Sequence, residues 1–351
     1  MRWVQVFVAE IAVDINPGCL ETECMNRNQE PVAVGRIVRP RKYGSPDVLE
    51  IVETQISQPD ADGVVVQVRA AGVNPIDWKI YSGSFHEVDD DEKGAAGLAE
   101  NLPRLGLECA GVVTAVGSTV TEVAVGAEVI VYPITGAYAD YVTAPVSSLI
   151  PKPAGLDWPA AGALMLAGLT AMHALHAAGV HDGDTLLVHG GSGGVGLLVV
   201  QLAVAAGATV IATASARNHA LLQRLGAIPV SYGTGLLDRV RAAAPGTVTA
   251  AIDCAGSDEA FDTSLAVVAD RRRLVSIAGG DRHVAAGIKV LGYGPGQDAG
   301  TEFRNAARAG LAARAVDLEI LIDSVYPLSE AAQAHQAGLA GHAPGKLVLI
   351  P

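Results

Sequence analysis

The feature that most constrains this chain is the run Leu186-Leu-Val-His-Gly-Gly-Ser-Gly-Gly-Val-Gly196. An apolar strand segment, Thr185–His189, leads into it, and an apolar helical segment, Val195–Ala206, leads out. A second strand, Thr209–Thr213, closes the unit. Gly191, Gly193 and Gly196 thus satisfy G-x-G-x-x-G in the strand–turn–helix setting that gives the pattern physical meaning. In such a turn the first glycine permits a sharp reversal and the second lets a pyrophosphate approach the backbone. The third lets the helix pack on the strand. With the unpaired N–H groups of the helix start, Gly191, Ser192, Gly193, Gly194, Val195 and Gly196 form a candidate phosphate cradle. An isolated match would equally describe a turn that binds nothing; the βαβ setting decides for a dinucleotide.

The second strand continues as Ile211-Ala-Thr-Ala-Ser-Ala-Arg-Asn218 and carries no acid. Units selective for NAD place Asp or Glu there to bond the ribose diol. Ser215 and Arg217 are expected instead to receive a 2′-phosphate, the guanidinium by a charge-assisted contact. The alternative makes Arg217 only a first-turn cation of the helix Asn218–Leu225. On this ground NADPH is expected over NADH.

Strands Ala250–Asp253 and Leu274–Ile277 continue the alternation of helix and strand after a helical stretch, Pro159–Ala178. That spacing predicts a parallel sheet with right-handed crossovers. Before Pro153 the texture differs. Short β-branched runs such as Val64–Arg69 and Gly111–Val116, with Val129–Tyr132 and Tyr141–Thr143, predict an all-β module. The chain closes on a strand, Lys346–Ile350. The first residues, to about Pro31, do not join this pattern; they read as an extension, or as lying upstream of a true start at Met25. The run Asp89-Asp-Asp-Glu92 reads as a solvated surface loop.

Composition narrows the function classes. Half of the 351 residues are hydrophobic and 17% are charged, which excludes a disordered chain. The formal charge of −13 disfavours nucleic acid or an anionic membrane as main partner. Four cysteines without a CxxC read as reduced thiols. Glu10 and Asp14 interrupt the N-terminal apolar run, so no signal peptide is expected. Leu197–Ala214, broken by Gln201 and Gly207, reads as helix plus strand, not as a membrane span. A cytoplasmic location is expected.

Several further blocks stand in a fixed order: Ala70-Ala-Gly-Val-Asn-Pro-Ile-Asp77, Leu105-Gly-Leu-Glu-Cys-Ala-Gly-Val-Val113, Gly136-Ala-Tyr-Ala-Asp-Tyr141, Gly168-Leu-Thr-Ala171, Ala212-Thr-Ala-Ser215 and Gly345-Lys346-Leu-Val-Leu. Together they resemble the zinc-independent medium-chain dehydrogenases/reductases, specifically the zeta-crystallin-like quinone oxidoreductases, from about Arg36 to Pro351. The resemblance implies an α/β protein with a GroES-like β-rich catalytic domain and a Rossmann doubly wound parallel-sheet domain, with a substrate cleft between them. It implies an extension at 1–34, a catalytic domain at 35–155 and 292–351, and a nucleotide domain at 156–291. It places Thr170 beside the nicotinamide, and Tyr232 and Lys346 with the cofactor. It also implies a homodimer through the edge strands of the parallel sheet.

Departures from the wider superfamily are as informative. Zinc alcohol dehydrogenases carry a catalytic Cys where this chain has Asn74, and a His where it has Leu107 in Gly106-Leu-Glu108. Phe85–Arg104 holds no Cys, so the structural-zinc cluster is missing as well. Zinc requires a tetrahedral set of S, N or O ligands, so no metal is expected. Without a Lewis acid a simple ketone is a poor hydride acceptor, whereas a quinone or α,β-unsaturated carbonyl accepts hydride with hydrogen-bond help alone. Asn74 is a candidate donor to the substrate oxygen or the nicotinamide ribose, or else a turn residue beside Pro75. Asp77 is an orienting carboxylate or a helix N-cap. Thr170 is a nicotinamide neighbour or a helix residue bonded to its own backbone. Tyr81 and Tyr138 are the candidate phenolic proton donors. Three functions remain open at this level: a quinone reductase, an enoyl reductase tailoring one metabolite, and an NADPH-binding structural or regulatory protein.

Overall fold

The computed structural model describes residues 31–84, 104–292, 300–341 and 343–351. Met1–Glu30, with Cys19 and Cys24, and the acidic run Asp89–Glu92 lie outside the described residues. The chain divides into two compact units, Met1–Leu166 with Ile322–Pro351, and Ala167–Leu321.

The first unit opens with β1 (Ala33–Pro40), β2 (Leu49–Ile56), β3 (Gly63–Val73) and helix α1 (Pro75–Tyr81). β4 (Cys109–Val116), β5 (Glu128–Val131), β6 (Tyr141–Pro145), β7 (Leu149–Pro151) and α2 (Trp158–Ala163) follow, and α3 (Met165–Ala178) begins at its boundary. Next come β8 (Thr185–His189), α4 (Gly194–Ala205), β9 (Thr209–Ala214), α5 (His219–Arg224), β10 (Ile228–Ser231) and α6 (Leu236–Ala243). The second unit ends with β11 (Ala250–Asp253), α7 (Asp258–Val267), β12 (Leu274–Ser276), α8 (Asp281–Ala285), β13 (Lys289–Val290) and α9 (Thr301–Arg314). The chain returns to the first unit with β14 (Ile322–Pro327), α10 (Ala331–Ala340) and β15 (Lys346–Ile350).

In the first unit β1 and β2 form an antiparallel pair, and a larger sheet has the order β14-β15-β3-β4-β5-β7, with β6 also pairing β3. β3 is the centre of this GroES-like unit. Its run Val64-Val-Val66 is fully buried, as suits β-branched side chains on a sheet covered on both faces. β15 runs antiparallel to β3 with Leu347 opposite Val73, a register that brings Lys346 beside Asn74.

The second unit is a parallel sheet of order β10-β9-β8-β11-β12-β13. The order reverses between β8 and β11, and the crevice at the carboxyl ends of such strands is where doubly wound sheets bind ligands. With aromatics at only 4% of the chain, close helix–sheet packing is achieved with alanine. Ala167, Ala171, Ala174 and Ala178 form one stripe of α3 and share a buried cluster with Leu186 and Val188.

The helical stretch Pro159–Ala178 is two helices, parted at Leu164. α2 packs within the first unit, where Ala163 clusters with Ala70 and Val348. A Cβ on Gly162 would fall 2.5 Å from the Ala70 carbonyl oxygen. The units therefore part at Leu166/Ala167. Leu318, Ile320 and Leu321 pack on the second unit's core, so the chain re-enters the first unit at Ile322.

Candidate functional site

The glycine turn is held from beneath by β9. The N–H groups of Gly190 and Gly191 donate to Thr213 Oγ1 (3.1 Å) and the Thr213 carbonyl (2.9 Å). The left-handed residue of the reversal is Gly190 (φ 71°), one position before the glycine to which spacing gave that role. Gly191 serves a close approach instead: a Cβ there would lie 2.8 Å from Ala212 Cβ. On Gly196 a Cβ would lie 2.2 Å from the Gly190 oxygen, so helix and turn pack only without a side chain. Gly193 differs, because the nearest atom to its Cβ would be the Gly190 oxygen at 3.4 Å, an ordinary contact. Packing within the protein does not demand glycine there. Gly194, Val195 and Gly196 form the first turn of α4, whose first intrahelical bond runs from Leu197 N–H to the Gly193 carbonyl (2.9 Å), so their N–H groups face forward.

Ser192 is tied to the end of β9 by Asn218, whose Nδ2 donates to Ser192 Oγ (3.0 Å) and Ser215 Oγ (3.3 Å). Asn218 appeared in the sequence only as a helix start. Arg217 stands exposed in the same turn, and Tyr232 stands exposed just beyond β10. Ser215, Arg217 and Tyr232 thus gather at the carboxyl ends of two adjacent strands. On the other side of the turn, β8 ends at buried His189, held neutral because burial pushes its pKa down to about 4 against the pull of Asp253 and Glu259. Buried Asp253 ends β11, and buried Ser276 ends β12.

In the first unit Asn74, Asp77, Tyr81, Tyr138 and Lys346 belong to one buried network. Asn74 opens α1, and its backbone N–H donates to Asp77 Oδ2 (2.9 Å), so Asp77 serves the third helical position and not the cap itself. The Asn74 amide donates to Glu108 Oε1 (2.9 Å) and the Gly72 carbonyl (3.2 Å). Both of its N–H groups are therefore committed inside the protein. The Lys346 ammonium donates to Asn74 Oδ1, Glu108 Oε1 (3.2 Å) and the Val73 carbonyl (3.1 Å). Glu108, with no exposure, completes its shell by accepting from Leu166 N–H (2.9 Å) at the start of α3. Gly72 makes the room: a Cβ there would sit 2.4 Å from Glu108 Oε1.

The two phenols face inward as well. Tyr138 donates to Asp77 Oδ2 (2.7 Å), and His335 lies between the rings, with Nε2 3.3 Å from the Tyr138 oxygen and Nδ1 2.7 Å from the Tyr81 oxygen. Burial pushes the His335 pKa down to about 4, so the ring is neutral. Tyr138 spends its proton on Asp77, so His335 donates from Nε2 and accepts from Tyr81 at Nδ1. Burial raises Asp77 to about 6 against the hydrogen bonds from Tyr138 and Asn74 and the charge of Lys346. Thr170 is half-buried on α3, in the second unit.

A GroES-like unit rejoined by the last strand, and a doubly wound sheet with a glycine turn after its first strand, define a medium-chain dehydrogenase/reductase. Residues 60–154 match the family described as "Alcohol dehydrogenase GroES-like domain" and residues 194–293 the family described as "Zinc-binding dehydrogenase". A quinone oxidoreductase of Pseudomonas aeruginosa is 34% identical over 330 residues, spanning 88% of this chain and 97% of the relative. Among solved structures, Escherichia coli quinone oxidoreductase complexed with NADPH has a TM-score of 0.75 at 26% identity, covering 90% of this chain and all of that one. CurK enoyl reductase has a TM-score of 0.77 at 28% identity, covering 90% and 99%. The chain belongs to the quinone oxidoreductase family, and it is an oxidoreductase.

The zinc in that family description does not fit these residues. Asn74 has its amide fully engaged, Leu107 is a buried aliphatic side chain, and an ammonium already occupies the acceptors of Asn74 and Glu108. A divalent cation would meet that ammonium instead of a donor set. Among the described residues no group of three or more His, Cys, Asp and Glu is placed to hold a metal. None of their helices is long and apolar enough to cross a membrane.

Proposed function

We propose that the protein is an NADPH-dependent, zinc-independent reductase of quinones or other activated α,β-unsaturated carbonyls. The observation that carries this reading is the Lys346 ammonium seated on Asn74 and Glu108, with Asn74 and Leu107 standing where a metal-using relative needs its ligands. The dinucleotide half rests on the cradle Gly191–Gly196, and the open space beside Gly193 supports it, since a Cβ there would meet no close contact within the protein. Ser215 and Arg217 would take the 2′-phosphate, with Tyr232 beside them. When bound, NADPH supplies the hydride; the protein supplies orientation and exclusion of water. Asn74, Asp77, Tyr81 and Tyr138 act in this scheme through the rigidity of the first unit, since the polar hydrogens of Asn74, Tyr81 and Tyr138 bond within the network and Asp77 accepts two of its hydrogen bonds. The likeness to CurK enoyl reductase supports a second reading, reduction of one specific enoyl metabolite, with the same fold, cofactor and site.

The test is NADPH oxidation across an acceptor series. Rates should climb with acceptor electrophilicity, from near zero on saturated ketones to fast on quinones and activated enones. A single enoyl compound turned over while quinones are ignored would favour the second reading, and rapid turnover of simple ketones or alcohols would overturn both. A homodimer paired through the edge strand β13 belongs to the same proposal; monomer alone in sedimentation at micromolar concentration would remove it.

A further inference from the structure

On the proposed dinucleotide reading, the glycine turn after β8 takes the pyrophosphate, and Ser215, Arg217 and Tyr232 place the adenosine half over the ends of β9 and β10. The other half must then run in the opposite direction, over the ends of β11 and β12. The turns there are Cys254-Ala-Gly256 and Ile277-Ala-Gly-Gly280, whose Ala255, Gly256 and Ala278 are exposed. With nothing larger than a methyl at these positions, a flat ring can approach the backbone; Cys254 and Ile277 pack on the core at the start of each turn, but the exposed positions carry no polar side chain to hold their N–H groups.

One buried carboxylate does that anchoring. Asp253 Oδ1 accepts from Ala255 N–H (2.8 Å) and Gly256 N–H (2.9 Å), which fixes the turn after β11. Asp253 Oδ2 accepts from Ser276 Oγ (3.1 Å), and Ser276 Oγ accepts from Ala278 N–H (3.2 Å), which fixes the turn after β12. The turns lie against each other, since a Cβ on Gly256 would fall 2.7 Å from the Ala278 oxygen. The first also abuts the glycine turn, with Cys254 3.2 Å from the position of a Cβ on Gly190. His283 Nε2 stands 3.5 Å from Asp253 Oδ2, and buried His189 Nε2 has no hydrogen-bond partner among the described residues, so unspent polar capacity collects at this end of the sheet.

We propose that Asp253 is a positioning residue that sets both turns under the nicotinamide half of the dinucleotide, separately from the glycine turn that holds the other half. The test compares binding of NADPH with binding of 2′-phospho-ADP-ribose, which lacks the nicotinamide. Asp253→Ala should weaken NADPH by about tenfold or more, the scale of lost hydrogen bonds to a charged group, and leave the fragment within about twofold. Asp253→Asn retains an oxygen for the Ala255 and Gly256 N–H groups and should recover most of the loss. If Asp253→Ala does not fold, Ser276→Ala carries the test, since it frees only the second turn and should weaken NADPH severalfold with the fragment unchanged. Equal losses for both ligands, or none for either, would overturn the proposal. Wild-type protein that binds neither ligand would overturn the dinucleotide reading itself, and the role of Asp253 with it.

Discussion

Replacing Lys346 by Met tests whether the first unit depends on a buried charge where a metal would otherwise stand. The Lys346 side chain is 6% exposed and its ammonium makes three hydrogen bonds; Met keeps most of the apolar stem and removes the charge. Glu108 is left as a carboxylate with no exposure, held by the Asn74 amide and Leu166 N–H. Removing one partner of a buried pair costs about 3–5 kcal/mol. The two donors that remain put the expected loss near the lower bound, about 3 kcal/mol. Adding Glu108→Gln removes the orphaned charge, so the double variant should regain about 2 kcal/mol relative to Lys346→Met. Urea unfolding followed by tryptophan fluorescence reads this directly, because Trp78 and Trp158 both lie in the first unit. A Lys346→Met variant within about 0.5 kcal/mol of wild type, the range of ordinary surface changes, would refute the coupling. So would a double variant weaker than the single.

Gly193→Ala should leave stability within about 1 kcal/mol, the scale of a changed N-cap, yet weaken NADPH at least tenfold, because in the proposed cradle it fills the space of the phosphate. Gly196→Ala, which strikes the Gly190 oxygen, should damage fold and binding together, as circular dichroism and titration would show. Arg217→Ala should weaken NADPH by about 1.5–3 kcal/mol and leave NADH nearly unchanged; equal losses would assign Arg217 to the fold or the pyrophosphate. Acid stability carries a sign as well. Asp77, raised to about 6, binds its proton more tightly when folded, so its contribution falls as pH rises from about 4 to 6. His189 and His335, lowered to about 4, contribute stability above about 6.5 that is lost as pH falls toward 4. Asp77→Asn removes the opposing term, so its unfolding free energy should drop more steeply than wild type between pH 6.5 and 4; parallel curves would mean that Asp77 does not titrate there.

The parts of this protein that the sequence made legible are local. Thr185–His189 and Ala250–Asp253 emerge as strands with their expected bounds, and the glycine spacing identifies the turn, although the left-handed residue is Gly190. The first-unit site was harder to read, because its contacts are long-range. Asn74 meets Lys346 only through the β3–β15 register. Glu108 was visible as a lone acid in Leu105–Val113, but nothing local tells that it joins Asn74, Lys346 and Leu166. Tyr81 and Tyr138 read as available phenols because His335, in an alanine-rich helix, gave no hint that it would lie between them. Asp253 read as the last residue of a strand; its role depends on turns whose N–H groups converge only in the folded sheet.

The most direct test of metal-free reduction is the rate of NADPH oxidation with a quinone before and after exhaustive dialysis against a chelator, with zinc measured in the same samples. Metal-free reduction predicts an unchanged rate with far less than one zinc per chain. A rate lost on dialysis and restored by added zinc would contradict it.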